Sequence, residues 1–285
     1  MSLPAPSPEL LSLNTATVGK QWNLRQMIEA CARHEVRGIS PWRDKLAELG
    51  VDEAARLIRQ HELTVTGLCR GGMFPAADAA GRRAALDDNR RAVDDAATLG
   101  AQCLVLVVGG IVPGSKDLAG ARQMVFDGIA ELLDYARGKV PLAIEPLHPM
   151  YCADRACVNT IDQALDICDA VEPLADGESP SGVIGVAVDA YHVWWDPDLA
   201  RAIERIGSKR LLGYHICDWL VPTKDLLLDR GMMGDGVIDL KALRAMVQAQ
   251  GYRGLHECEI FSNHWWQQDP DLVMRTIKER HLRCS

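Results

Sequence analysis

The chain has 285 residues, 48% of them hydrophobic and 25% charged, a mixture that excludes a disordered, collagen-like or fibrous protein and can bury a sizeable core. Its 39 acidic residues outnumber 31 basic ones, and the net charge of −8 sets up a field that disfavours both nucleic acid and an anionic membrane as partner. No run of about 18 apolar residues appears, and the opening MSLPAPSPELLSLNTATVG lacks the basic stretch and apolar core of a secretory signal, so the expectation is a cytoplasmic protein.

In chain order, short runs rich in Val, Ile, Leu and Cys alternate with longer segments of helical periodicity. The runs 11–18, 36–40, 63–69, 102–108, 142–146, 183–189, 211–217 and 255–260 read as strands. The segments 21–34, 52–61, 82–99, 119–137, 160–171, 199–206, 240–248 and 271–280 read as the helices between and after them. Within 82–99, Ala85, Leu86, Ala92, Ala96 and Leu99 fall at helical spacings for a buried face, while Asp87, Asp88, Arg90 and Arg91 supply a solvated one. Parallel strands need crossover connections, and a sheet covered by helices explains why LVLVV and VIGVAV are apolar without alternation.

Strand–helix units of about 36 residues suit a closed (β/α)8 TIM barrel, and no Pro/Gly/Ser-rich linker divides the chain. The expectation is a single barrel domain over 1–285. An open doubly wound sheet ranks second, because TATVGKQW offers one glycine where that fold carries a glycine-rich phosphate loop. The nine cysteines (31, 69, 103, 152, 157, 168, 217, 258 and 284) contain no CxxC pair, which points to free, buried thiols in a reducing compartment.

Chemistry in a barrel gathers at the C-terminal ends of its strands. Glu145 closes VPLAIEP, Asp189 closes VIGVAVD, His215 lies in LLGYHICDW and Glu259 in LHECEIF. Singly, each has a bland role as a helix cap or a hydrogen-bonded core residue. Together they take the same place in strands five to eight, where gathered carboxylates repel one another unless a cation compensates. Three oxygens and one nitrogen suit one divalent ion, Mn²⁺ first, with Mg²⁺, Co²⁺ and Zn²⁺ as alternatives, and the lack of a thiolate argues against an iron–sulfur or structural zinc site. Glu257 shares a face with Glu259 by strand alternation; Glu259, nearer the C-terminal end, is taken as the ligand, and Glu257 stays open as the alternative.

The segments IEPLHP, DAYHVWWDPD, HICDW, GDGVIDL and ECEIFSNHWWQQDPD resemble the sugar phosphate isomerase/epimerase group of xylose isomerase-like TIM barrels. That group also holds ketose 3-epimerases, hydroxypyruvate isomerase, inosose dehydratase and an apurinic endonuclease branch, and the resemblance covers nearly the whole chain. It implies Glu145, Asp189, His215 and Glu259 as metal ligands, Glu145 and Glu259 as an acid/base pair, and His192 as a substrate contact. It also implies an arginine contact after the seventh strand, assigned to Arg230, and a homodimer or homotetramer. Arg70 in LCRGGMF offers a second contact, to an anion or a hydroxyl. Trp194, Trp195, Trp219, Trp265 and Trp266, with Tyr191 and His148, are candidates for the pocket wall or for packing between loops or subunits.

The implied chemistry starts from a hydroxyketone chelated to the metal, whose neighbouring C–H becomes acidic. One glutamate removes the proton to give a cis-enediolate and the other returns it, to the opposite face in epimerisation or to the neighbouring carbon in isomerisation. The expected function is a metal-dependent isomerase or epimerase whose small-molecule partner is a ketose, hydroxyketone or related carbohydrate. Loss of a β-hydroxyl from the same enolate makes a dehydratase or lyase the first alternative. A DNA-repair endonuclease needs more metal ligands and a basic surface, which the net charge opposes. A noncatalytic metal-holding subunit is disfavoured by the intact acid/base residues.

Overall fold

Every expected strand forms in the computed structural model, which describes residues 4–172 and 183–285. The ring is built from β1 (Leu11–Asn14), β2 (Gly38–Ser40), β3 (Thr64–Val65), β4 (Leu68–Gly72), β5 (Leu104–Val107), β6 (Leu142–Ile144), β7 (Ile184–Asp189) and β8 (Leu211–Ile216). After β8, β9 (Asp218–Trp219) and β10 (Arg230–Gly231) form an antiparallel pair outside the ring, and β11 (His256–Cys258) completes it. The parallel order is β3-β2-β1-β11-β8-β7-β6-β5-β4. Its two ends, β3 and β4, are pieces of what reads in the sequence as one strand over 63–69, so the chain itself closes the barrel through Thr66 and Gly67. Across that break Thr66 N donates to Ile39 O at 3.1 Å and Cys69 N to Pro41 O at 2.9 Å, which keeps the edge of β2 satisfied.

Around the ring lie α1 (Leu24–Arg33), α2 (Arg43–Leu49), α3 (Val51–Gln60), α4 (Ala79–Leu99), α5 (Leu118–Ala136), α6 (Ile161–Val171), α7 (Ala190–Val193), α8 (Leu199–Arg210), α9 (Leu240–Ala249) and α10 (Pro270–Cys284). The short helices α2 and α7 are additions to the sequence expectation. The stretch 11–18, expected as all strand, leaves the extended conformation after Asn14, whose Oδ1 accepts from Ala16 N at 3.0 Å and starts a 3₁₀ turn.

Helix α4 shows how the pattern is used. Asp78 caps it by accepting from Gly81 N at 2.7 Å, and it ends at Gly100, whose φ of 68° suits glycine. Leu86, Ala92, Ala96 and Leu99 are buried as expected. Asn89 is buried too, because its side chain bonds both the N–H and the C=O of Gly72 at the end of β4. The charged face pairs with neighbouring helices, Asp88 with Arg43 and Arg90 with Glu131, contacts worth little at a surface.

The main apolar core lies between ring and helices, while the lumen holds a small second cluster of Cys69, Cys103, Val105, Ala143 and Ala187. Above this plug of small side chains the lumen turns polar, with Ser12, Asn14, Thr66, His215 and Glu257 all buried. The cysteines are all free, and seven of them are buried, in keeping with a packing role. No helix among the described residues is long and apolar enough to cross a membrane.

Candidate active site

Strand register brings the four expected ligands together. Asp189 lies opposite His215 across β7 and β8, and His215 opposite Glu257 across β8 and β11. Glu145 follows β6 directly and Glu259 follows β11. Glu145, Asp189, His215 and Glu259 are 5%, 0%, 1% and 3% exposed, and one ligand atom from each lies within 4.8 Å of all the others. Asp189 performs both roles that a strand-end carboxylate can have: Oδ1 caps α7 by accepting from Tyr191 N at 2.8 Å, and Oδ2 faces the cluster.

Glu257 is held below this set. Its Oε1 accepts from Asn14 Nδ2 at 2.7 Å and its Oε2 from Thr66 Oγ1 at 2.7 Å. Asn14 Nδ2 also reaches Glu259 Oε1 at 2.9 Å, so one amide fixes both glutamates, while Trp42 Nε1 donates to Asn14 Oδ1. Asn14 ends β1 as Asp189 ends β7, which is the signal that could have found it from sequence. Cys69 Sγ lies close to Glu257 and Glu259, but burial, reinforced by those carboxylates, pushes its thiol well up and keeps it protonated.

Four carboxyl groups (Glu145, Asp189, Glu257 and Glu259) therefore meet one guanidinium, Arg230, and two imidazoles, His215 and His192. Burial pushes Glu259 up to about 8, against the pull of Arg230 and with the push of Glu145 and Asp189. For His215, burial favours the neutral ring, but Glu257, Glu145 and Glu259 outweigh it and hold the imidazole well above its usual range. Burial also opposes ionisation of Asp189, yet Arg230, His192 and His215 hold it below the usual carboxylate range. Hard oxygen donors in excess, one nitrogen, and a negative balance that forces a carboxyl to retain its proton fit a divalent cation.

Arg230 is expected as a substrate contact, and the structure places it deeper than that. Its Nη1 donates to Asp189 Oδ2 at 3.0 Å and to Glu259 Oε2 at 2.9 Å, so it bridges two of the ligand carboxylates. Tyr191 and Phe261 cover the guanidinium, with ring centroids at 4.4 and 5.1 Å. His192 lies beside it, 3.2 Å from Nη2 and 3.6 Å from Asp189 Oδ2. The His148 backbone N–H lies 3.3 Å from His192 Nδ1 and the Arg230 Nη2 donor lies 3.2 Å from Nε2, so both ring nitrogens of His192 face donors. Burial pushes His192 down to about 3, so the ring stays neutral.

Arg70, His192 and Arg230 all line a narrow cavity over Glu145 and Glu259, together with Tyr151, Leu227 and Phe261. Trp194 and Trp265, expected as walls, line neither this cavity nor the cleft outside it. Trp194 packs on Trp219 with centroids 5.5 Å apart, in an aromatic group where Tyr191 and His148 also stack on Trp219. Trp265 packs against the core, and its carbonyl accepts from Gln21. The tryptophans that do line these spaces are Trp42, from the loop after β2, and Trp266.

A model of the xylose isomerase-like TIM barrel family matches residues 28–279. Inosose isomerase of Bacillus velezensis is 25% identical over 282 residues, covering 94% of this chain and 94% of that protein. A protein of Sinorhizobium meliloti 1021 with a crystal structure is 56% identical with a TM-score of 0.92, over 98% of this chain and 99% of that one. The IOLI protein, crystallised with a zinc atom, is 22% identical with a TM-score of 0.79, over 95% of each chain. With the ring of parallel strands and the family match extending over most of its length, the chain belongs to the xylose isomerase-like TIM barrel family.

Proposed function

We propose that the protein is a divalent-metal-dependent isomerase or epimerase of a small ketose, hydroxyketone or related sugar derivative. The observation that carries this reading is the convergence of Glu145, Asp189, His215 and Glu259 at the C-terminal mouth of the barrel. The likeness to an inosose isomerase supports a sugar-like ketone as substrate, and the zinc bound by the IOLI protein supports a divalent metal. When bound, a divalent ion supplies positive charge to the oxygen that gains negative charge as the neighbouring carbon loses its proton.

The chain's own residues do the rest. Glu145 and Glu259 form the acid/base pair: one carboxylate takes the proton from the carbon beside the carbonyl, and the other carboxyl delivers a proton to the opposite face or to the neighbouring carbon. His192, lining the cavity, contacts substrate hydroxyls, while Arg230 holds the carboxylates of Asp189 and Glu259. Tyr151, Leu227 and Phe261 narrow the cavity and exclude water. The hydroxyls of Tyr151 and Tyr191 both donate to Leu226 O, at 2.8 and 2.9 Å, and hold the loop between β9 and β10 in place.

The test is to strip the protein of metal, reload it with Mn²⁺, Mg²⁺, Co²⁺ or Zn²⁺, and follow a panel of ketoses, aldoses and inososes by NMR. The expected result is an isomer or epimer that forms with metal and not after chelation. A dehydrated product in its place overturns the isomerase reading in favour of a lyase. Wild-type metal affinity in Asp189→Ala or Glu259→Ala removes that residue from the ligand set.

A further inference from the structure

The narrow cavity over the glutamates opens outward into a cleft of about 570 Å³, within the usual range for small-molecule sites. Arg70 and Arg155 line both spaces, and Lys20 and Lys45 line the cleft alone. Asp44 is the single carboxylate among the residues lining the cleft. A chain of net charge −8 thus gathers four cations against one anion around one opening.

Arg70 is the most informative of the four. It stands half-buried on β4, and among the described residues no carboxylate comes within ion-pair distance of its guanidinium. The nearest ion-pair candidate for Arg155 is Asp154, next to it in the chain, at 4.0 Å. Helix-borne arginines behave otherwise: Arg43 is bonded twice to Asp88, and Arg205 meets Asp162, Asp166 and Asp169. Burial first, and then Arg155, hold Arg70 below the ordinary range of an arginine. A partly desolvated cation beside a like charge weakens the fold, and a bound anion removes that cost while meeting the planar guanidinium donors.

We propose that Arg70 and Arg155 bind an anionic group, a carboxylate or a phosphate ester, at the end of the substrate remote from the glutamate cluster. The substrate is then an acidic sugar derivative, its reacting carbons in the inner cavity and its charged end at the join with the cleft. This rests on the reading of the inner cluster as the reacting centre.

Three probes that share one carbon chain and carry no ketone or aldehyde separate the possibilities: glucitol, gluconate and glucitol 6-phosphate, titrated by calorimetry at constant ionic strength. The expected result is that gluconate or glucitol 6-phosphate binds at least about tenfold tighter than glucitol, the scale of one charge-assisted hydrogen bond. The tighter of the two names the anion. In Arg70→Gln/Arg155→Gln the preference for the anion over glucitol falls below about threefold. Arg155→Gln alone, a change at a loop residue, weakens the preferred anion at least about threefold and guards against misfolding of the double variant. Equal affinities for the three probes, no binding by any of them, or a preference that survives in both variants overturns the proposal. Because none of the probes can enolise, a failure of the isomerase reading shows in turnover and leaves this binding result standing.

Discussion

Replacing Asn14 perturbs two buried glutamates at once, and the cost follows from the contacts. Its Nδ2 donates to Glu257 Oε1 at 2.7 Å and to Glu259 Oε1 at 2.9 Å, and its Oδ1 accepts from Trp42 Nε1 at 2.9 Å and Ala16 N at 3.0 Å. Asn14→Ala strands carboxylate oxygens that no water reaches, at about 1–3 kcal/mol for each lost bond. Two bonds give about 2–6 kcal/mol, a large part of the roughly 5–15 kcal/mol that keeps a domain folded. Asn14→Asp keeps both acceptor contacts but turns the shared donor into another negative charge, so it loses at least as much. Urea denaturation of the metal-free protein at pH 7 measures the loss, with near-UV circular dichroism to confirm native packing before denaturant is added. If both variants stay within about 1 kcal/mol of wild type, the amide is not what holds the glutamates, and the electrostatic argument for the cluster fails with it.

Other substitutions probe separate parts of the account. Arg230→Met removes the cation between Asp189 and Glu259, so the metal-free protein should lose about 3–5 kcal/mol and recover about 2.7 kcal/mol of it at a divalent-ion concentration one hundredfold above Kd; calorimetric unfolding with and without Mn²⁺ reads both, and wild-type stability without metal contradicts the prediction. Asp218 accepts from the backbone N–H groups of Trp219, Gly234 and Ile238 at 2.9, 2.9 and 3.0 Å, so Asp218→Ala should cost at least about 3 kcal/mol and speed amide exchange through residues 232–238. Unchanged exchange there assigns those bonds no role in ordering the segment. His256 and His281, bonded to each other at 3.0 Å between β11 and α10, are pushed by burial down to about 3 and about 4. Their folded values lie below the unfolded one of about 6.5, so the stability they contribute is present above it and lost as pH falls, by about 2 kcal/mol per imidazole between pH 7 and pH 5. NMR should find both rings neutral at pH 5, whereas titration near the ordinary histidine value contradicts the linkage.

The barrel was legible because its strands are short apolar runs and its helices carry one buried face, as in α4. Glu145, Asp189, His215 and Glu259 were legible because each stands at or near the end of such a run. Asn14 occupies the equivalent place on β1, and its cap of the turn that follows masked that signal. The break between β3 and β4 at Thr66 and Gly67 was hidden inside the single run LTVTGLC over 63–69, and the change of partner from β2 to β5 is a property of ring closure. Arg230 was legible as a residue but its depth was not: β10 pairs with β9, and the aromatic faces of Tyr191 and Phe261 carry its guanidinium down between the carboxylates. Trp42 and Arg155 sit on loops without periodicity, so nothing in the chain pattern points them at the cavity. Trp194 and Trp265 show the converse, since a tryptophan at a strand end can turn toward packing as readily as toward a pocket.

The central claim is that Glu145 and Glu259 pass a proton to and from a substrate carbon. It is tested most directly by incubating the metal-loaded enzyme in D₂O with a substrate it converts, and comparing wild type with Glu145→Gln and Glu259→Gln. The account predicts deuterium at the carbon beside the carbonyl with wild type, and a loss of exchange of at least about one hundredfold in each variant, while near-UV circular dichroism stays unchanged. Product that forms without solvent deuterium, or exchange that persists in both variants, contradicts it.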